Sequence, residues 1–165
     1  MQDYAEAVKW YRLAAARGRV LSQYNLGLMY ENGHGVVQDY AEAVKWYRLA
    51  AAQGLASAQY NLGVRYDNGQ GVVQDYSEAV RWYRLAAAQG FAGAQLNLGV
   101  KYALGQGAPA DYVRAHMWFS LAAMAGNANA VKGRDVFATK MTPQQIAEAQ
   151  KLARECQARN FKGCN

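Results

Sequence analysis

The chain has little of what catalysis and metal binding usually draw on: 2 cysteines and 2 histidines among 165 residues. His34 and His116 lie far apart in sequence, and neither has a cysteine or histidine at metal-ligand spacing, so no metal or cofactor is implied. A serine or cysteine nucleophile needs a base beside it, and these histidines are the only evident ones. Ser22, Ser57, Ser77 and Ser120 are followed three positions on by Asn25, Tyr60, Val80 and Ala123, so a Ser-x-x-Lys motif is absent. Cys-x-x-Cys spacing is missing, which excludes the common redox pair. No apolar run approaches the length of a transmembrane helix.

Charge is modestly one-sided. The formal net charge of +6 favours acidic partners. A nucleic-acid interface would need a denser basic patch, so nucleic acid is not the expected partner.

What is present is repetition. The string D-Y-A-E-A-V-K-W-Y-R-L-A-A-A-Q-G, Asp39 to Gly54, recurs every 36 residues, nearly unchanged at Asp3 to Gly18 and Asp75 to Gly90 and more weakly at Asp111 to Gly126. Repeats 3–38 and 39–74 match at 27 of 36 positions, and 39–74 and 75–110 at 25 of 36. The match is close enough for recent duplication or deliberate idealisation. A fixed period of this length predicts stacked units that share one ribbon of core. Met1 stands where Val37 and Val73 stand in later copies, with no basic, apolar lead-in, so the expected origin is a truncated chain whose native N-terminal region, signal sequence included, is missing.

Each copy predicts two helices. Asp39 is an N-cap with Glu42 at capping-box spacing, and Gly54 suits the left-handed position that follows a helix. Asp3, Glu6 and Gly18, and Asp75, Glu78 and Gly90, repeat these signals. On a helical wheel Tyr40, Ala43, Val44, Trp46, Tyr47, Ala50 and Ala51 share one broad apolar face, opposite Ala41, Lys45, Arg48 and Ala52. The second helix runs from about Ala56 to Asp67. The glycine that returns inside it at Gly27, Gly63 and Gly99 costs about 1 kcal/mol relative to alanine, which implies a contact too tight for a β-carbon. The Gly69-x-Gly71 segment lacks the third glycine and the strand of a phosphate-binding turn and reads as a connecting loop.

The fourth copy, 111–141, keeps the first-helix frame but has Met117 for the lysine and Ser120 for the arginine, and its second helix loses the Leu-Gly-x-x-Tyr signature. Thr142, Pro143 and Gln145 then open a final helix, so 142–165 is expected to close the array. Cys156 and Cys164 are confined to it. A turn through Phe161-Lys162-Gly163 could join them as a disulfide in an oxidising compartment, the alternative being free thiols in a cytosolic protein.

Ala43, Trp46, Ala50-Ala51, Gly54, Ala58, Leu62-Gly63, Tyr66, Gly69, Gly71-Val72, Asp75 and Ala79 together resemble the Sel-1-like repeat family, a relative of the tetratricopeptide repeats. The resemblance covers about Asp3 to Gly126. It implies an all-α solenoid of about four helix-turn-helix repeats in one domain with a C-terminal capping helix. It also implies a non-enzymatic adaptor with a concave binding surface, in bacterial periplasmic or secreted settings that include envelope processes and virulence-associated host contact. Cysteine-rich relatives suggest a β-lactamase-type hydrolase as the alternative, although their cysteine pair per repeat is absent here; an idealised scaffold without a natural partner is a third reading.

Two sets of residues are candidates for partner contact. Lys9 and Arg12, Lys45 and Arg48, and Arg81 and Arg84 recur at i and i+3, and stacking would align them into a basic stripe for an acidic or extended peptide. The plain alternative is a solvated polar face. The second set is where the copies disagree, above all Met29, Arg65 and Lys101, read as positions released from packing. The chain is expected to be a monomer, with end-to-end association through the first repeat as an alternative.

Overall fold

In the computed structural model, which describes residues 3–164, the described residues form nine α-helices and no strand. Met1, whose position in the repeat register was noted above, lies outside the described residues. The fold is the expected all-α solenoid of helix-turn-helix repeats. The first helices of the copies are α1 (Tyr4–Ala16), α3 (Tyr40–Ala52), α5 (Tyr76–Ala87) and α7 (Tyr112–Met124). The second helices are α2 (Val20–Asn32), α4 (Ala56–Asn68), α6 (Ala92–Leu104) and α8 (Ala128–Ala138), and α9 (Pro143–Ala158) follows. The chain divides into two compact units, Met1–Asp75 and Tyr76–Asn165, and the division falls at the start of the third repeat copy.

In the first unit, the Asp39 carboxylate accepts from the backbone N–H groups of Ala41 and Glu42 at 2.9 and 3.0 Å, and Asp3 accepts from Glu6 at 3.1 Å. These bonds satisfy N–H groups that the first helical turn leaves without partners. The reciprocal half of the expected capping box is not made at Asp39, because the Glu42 carboxylate turns along the helix to Lys45. The second helices begin without a side-chain cap at Arg19 and Leu55 and end on glycines in the left-handed region, Gly33 and Gly69. The loop after α4 then closes on its own repeat. A β-carbon on Gly71 would lie 2.3 Å from the backbone carbonyl of Tyr40, so only glycine fits there.

The expected apolar face of α3 divides in two. Ala43, Val44, Tyr47, Ala50 and Ala51 are buried, whereas Tyr40 and Trp46 are half-buried at its margins. Trp46 packs against the cluster of Val8, Ala15 and Leu26. The tight contact expected at the mid-helix glycine is present: a β-carbon on Gly27 would sit 2.5 Å from the Tyr47 ring. The Tyr47 hydroxyl donates to Glu31 Oε2 at 2.5 Å, so α2 supplies both the gap for the ring and the acceptor for its hydroxyl.

In the second unit the same lock joins α6 and α7, with Gly99 opposite the Phe119 ring at 2.6 Å. α7 is buried over much of its circumference, including His116, Met117, Trp118, Phe119 and Leu121, because α6, α8 and α9 all pack on it. α9 starts with a complete capping box between Thr142 and Gln145, with proline in its first turn. Met117, the residue that replaces the basic side chain of earlier copies, is buried and shares a cavity with Leu152 and Cys156 of α9. A lysine there would lose its hydration, which explains the change to methionine.

Candidate functional site

The basic side chains of the first helices have two different occupations. Lys45 pairs with Glu42 one turn back, and Arg81 pairs with Glu78 at 2.9 Å. The hydrogen bond to Glu42 raises the Lys45 pKa above its ordinary value. Lys9 is exposed on α1, in a shallow depression with Asp3, Glu6, Trp10 and Leu13. The second basic residue in each pair turns to its own second helix. Arg12, Arg48 and Arg84 each donate from Nη2 to a tyrosine hydroxyl 18 residues on, namely Tyr30, Tyr66 and Tyr102, at 2.7, 2.6 and 2.7 Å. Each guanidinium also lies 5.7 to 5.8 Å from the centroid of that ring. These three arginines therefore tie the two helices of a repeat together through a hydrogen bond and a ring contact.

The variable positions are engaged within their units. Arg65 is 8% exposed, with its guanidinium 5.3 Å from the Tyr40 ring centroid and 3.6 Å from Glu31. Lys101 is 5% exposed, with its ammonium 4.4 Å from the Tyr76 ring centroid and 2.9 Å from Gln106 Oε1. Met29 packs against the Val8, Ala15 and Leu26 cluster. The expectation that these sites are released from packing therefore does not hold. Their alkyl stems line the repeat interior, which suits methionine, arginine or lysine about equally, and the heads of Arg65 and Lys101 meet aromatic rings.

Cys156 and Cys164 form a disulfide with Cα atoms 5.4 Å apart. It holds a short reversal in which two non-glycine residues, Asn160 and Phe161, adopt φ of 49° and 64°. That reversal sets the Phe161 ring about 3.0 Å from where a β-carbon on Gly90 would be. A cavity of about 340 Å³ results, walled by Arg81, Arg84, Leu85, Trp118, Phe161 and Cys164. Leu85 is 43% exposed at its edge. The basic pair was visible in the sequence, whereas the aromatic wall depends on where the tail returns.

The histidines stay apart. His34 stacks on Tyr4 with ring centroids 4.6 Å apart. His116 is buried in α7 with Nδ1 3.3 Å from Ser120 Oγ. Burial first, and then the charge of Arg134, lower its pKa. Among the described residues no group of three or more His, Cys, Asp and Glu side chains could hold a metal ion, and no helix is long and apolar enough to cross a membrane.

The model of the Sel1 repeat matches residues 1–18, 20–55, 56–91 and 92–127. The chain belongs to the Sel1 repeat family. The family model takes its unit from one second helix through the next first helix, in a different phase from the Asp-to-Gln copies but with the same 36-residue period. No curated protein matches the chain. Among solved structures, it is similar to a protective antigen present in uropathogenic Escherichia coli strains displaying an SLR fold. The identity is 48%, over 79% of this chain and 28% of that one, with a TM-score of 0.77. The chain thus spans little more than a quarter of the antigen's length. A Sel1 repeat protein from Oxalobacter formigenes is 40% identical over 76% of this chain and 94% of its own, with a TM-score of 0.69. The Helicobacter pylori cysteine rich protein B shares the fold at 21% identity, over 79% of this chain and 94% of its own, with a TM-score of 0.63.

Proposed function

We propose that this Sel1-repeat protein is a non-enzymatic adaptor that holds an acidic peptide segment of a protein partner, anchored at the Arg81–Arg84 cavity. The observation that carries the reading is the junction of two guanidinium groups with an apolar recess walled by Trp118 and Phe161. Arginine pairs with carboxylates through parallel hydrogen bonds, and a buried aromatic or aliphatic anchor supplies most of the affinity of a peptide contact. Lys9, Arg12, Lys45 and Arg48 extend the same chemistry to the first helices of the first unit, while Met29, Arg65 and Lys101 stiffen the repeats behind them.

The disulfide and the likeness to a protective antigen support an extracytoplasmic setting, periplasmic or secreted. A hydrolase of the β-lactamase type is the weaker reading. Ser120 and His116 are in contact within a single helix, whose interior backbone N–H groups are used by the helix and cannot form an oxyanion hole.

An array of acidic peptides, each with one leucine or phenylalanine beside two or three glutamates, tests the proposal directly. The folded protein should retain a subset of them, and Arg81→Glu should abolish retention. Retention that is unaffected by Arg81→Glu, or turnover of nitrocefin by the purified chain, would contradict it.

A further inference from the structure

The last repeat departs from the core pattern at two equivalent positions. In the first three copies the first helix buries Val8, Val44 or Val80, and 18 residues on the second helix buries Leu26, Leu62 or Leu98. In the fourth copy these positions are His116 and Arg134. His116 remains only 3% exposed, so an imidazole stands where a valine packs elsewhere. Burying a polar ring in place of an apolar one costs stability, and here the ring has Ser120 Oγ 3.3 Å from its Nδ1.

Both side chains line a cavity of about 220 Å³, together with Ser120, Met124, Ala153 and Arg154. α7 supplies His116, Ser120 and Met124, α8 supplies Arg134, and α9 supplies Ala153 and Arg154. Arg134 pairs with Asp135 at 2.8 Å on the solvent side. Arg154 makes no hydrogen bond or ion pair among the described residues. Burial and the charge of Arg134 lower the His116 pKa, and the charged side chains among the lining residues are Arg134 and Arg154.

We propose that this cavity is a binding site for a short-chain monocarboxylate, separate from the peptide surface. Arg154 supplies the main donors for the carboxylate, Arg134 adds Nη1, since its Nε and Nη2 are held by Asp135 at 2.9 and 2.8 Å, and Met124 and Ala153 supply an apolar wall for its chain. The volume is below the range of about 300–1,000 Å³ usual for drug-sized ligands, which limits the chain to a few carbons.

Butyrate is the test probe, with 1-butanol as the uncharged control and inorganic phosphate as the control without an apolar part. The readout is the His116 imidazole resonances, assigned by their loss in His116→Val. Butyrate should shift them saturably and raise the His116 pKa, because an anion beside the ring favours the imidazolium. Butanol and phosphate should each bind at least tenfold more weakly. Arg134→Leu restores the residue of the inner copies, so the protein should stay folded while butyrate binding falls at least tenfold, and Arg154→Gln should weaken binding likewise. No saturable shift with butyrate, an equal response to either control, or full binding by folded Arg134→Leu would overturn the proposal.

Discussion

Arg48 Nη2 donates to the Tyr66 hydroxyl at 2.6 Å, joining the first and second helices of one repeat across 18 residues. The same pair recurs as Arg12 with Tyr30 and Arg84 with Tyr102. The most repeated residues of the sequence thus serve the hairpin first, and they can meet a ligand only with the donors that remain.

Removing this link should destabilise the first unit modestly. Tyr66→Phe deletes only the hydroxyl, and a hydrogen bond to a charged donor at an exposed site is worth about 1 kcal/mol. Urea unfolding of Tyr66→Phe, Arg48→Ala and the double variant should show a coupling of that order, with the double variant costing less than the sum of the singles.

Gly27→Ala should be destabilising although alanine favours helices. The helix gains about 1 kcal/mol in propensity, but the new methyl would meet the fully buried Tyr47 ring, and overpacking costs roughly 1–3 kcal/mol. The expected result is a lower urea midpoint for Gly27→Ala that Gly27→Ala with Tyr47→Leu partly recovers.

Alkaline pH should unfold the first unit through Tyr47. Burial and the hydrogen bond to Glu31 raise its pKa well above 10.0. The unfolded chain therefore loses this proton near pH 10 while the folded chain keeps it, so stability is full below pH 10 and falls as pH rises beyond it. Tyr47→Phe should remove that component of the alkaline slope in denaturation curves followed from pH 8 to 12.

His116 gives the opposite dependence in the second unit. Burial holds its folded pKa below the ordinary histidine value of 6.5, so the unfolded chain takes up the proton first. The stability present above pH 6.5 should be lost as pH falls toward the folded value. His116→Val should flatten the profile between pH 7 and 5.

The helices, their caps and the mid-helix glycines could all be read from residue spacing, because each depends on neighbours within one period. Trp46, Tyr47 and Ala50-Ala51 announce their packing in the same way. Contacts that depend on where chain ends return could not be read. Nothing local to Met117 says that α9 will cover it, and nothing local to Arg81 says that Phe161 will wall its cavity. Variation also misled at Arg65 and Lys101, where a long stem and a head that meets an aromatic ring leave several residue types almost equivalent. The lone Cys156 and Cys164 were informative because two half-cystines in one terminal segment leave few alternatives.

The disulfide should matter to binding as well as to stability. Closing a loop of this size is worth about 2–3 kcal/mol in the chain-entropy model. Cys156→Ser with Cys164→Ser should free Phe161, speed hydrogen exchange after Gln157 and weaken peptide binding, while the first unit unfolds as before.

The most direct measurement is calorimetric titration of an acidic peptide retained on the array into the wild-type protein and into the Arg81→Glu, Leu85→Ser variant, at low and high salt. A peptide held at the Arg81–Arg84 cavity should bind the wild type with an affinity that weakens as salt rises, and bind the variant at least tenfold more weakly, with both proteins equally folded. Equal affinity for the two proteins would contradict the adaptor reading at this site.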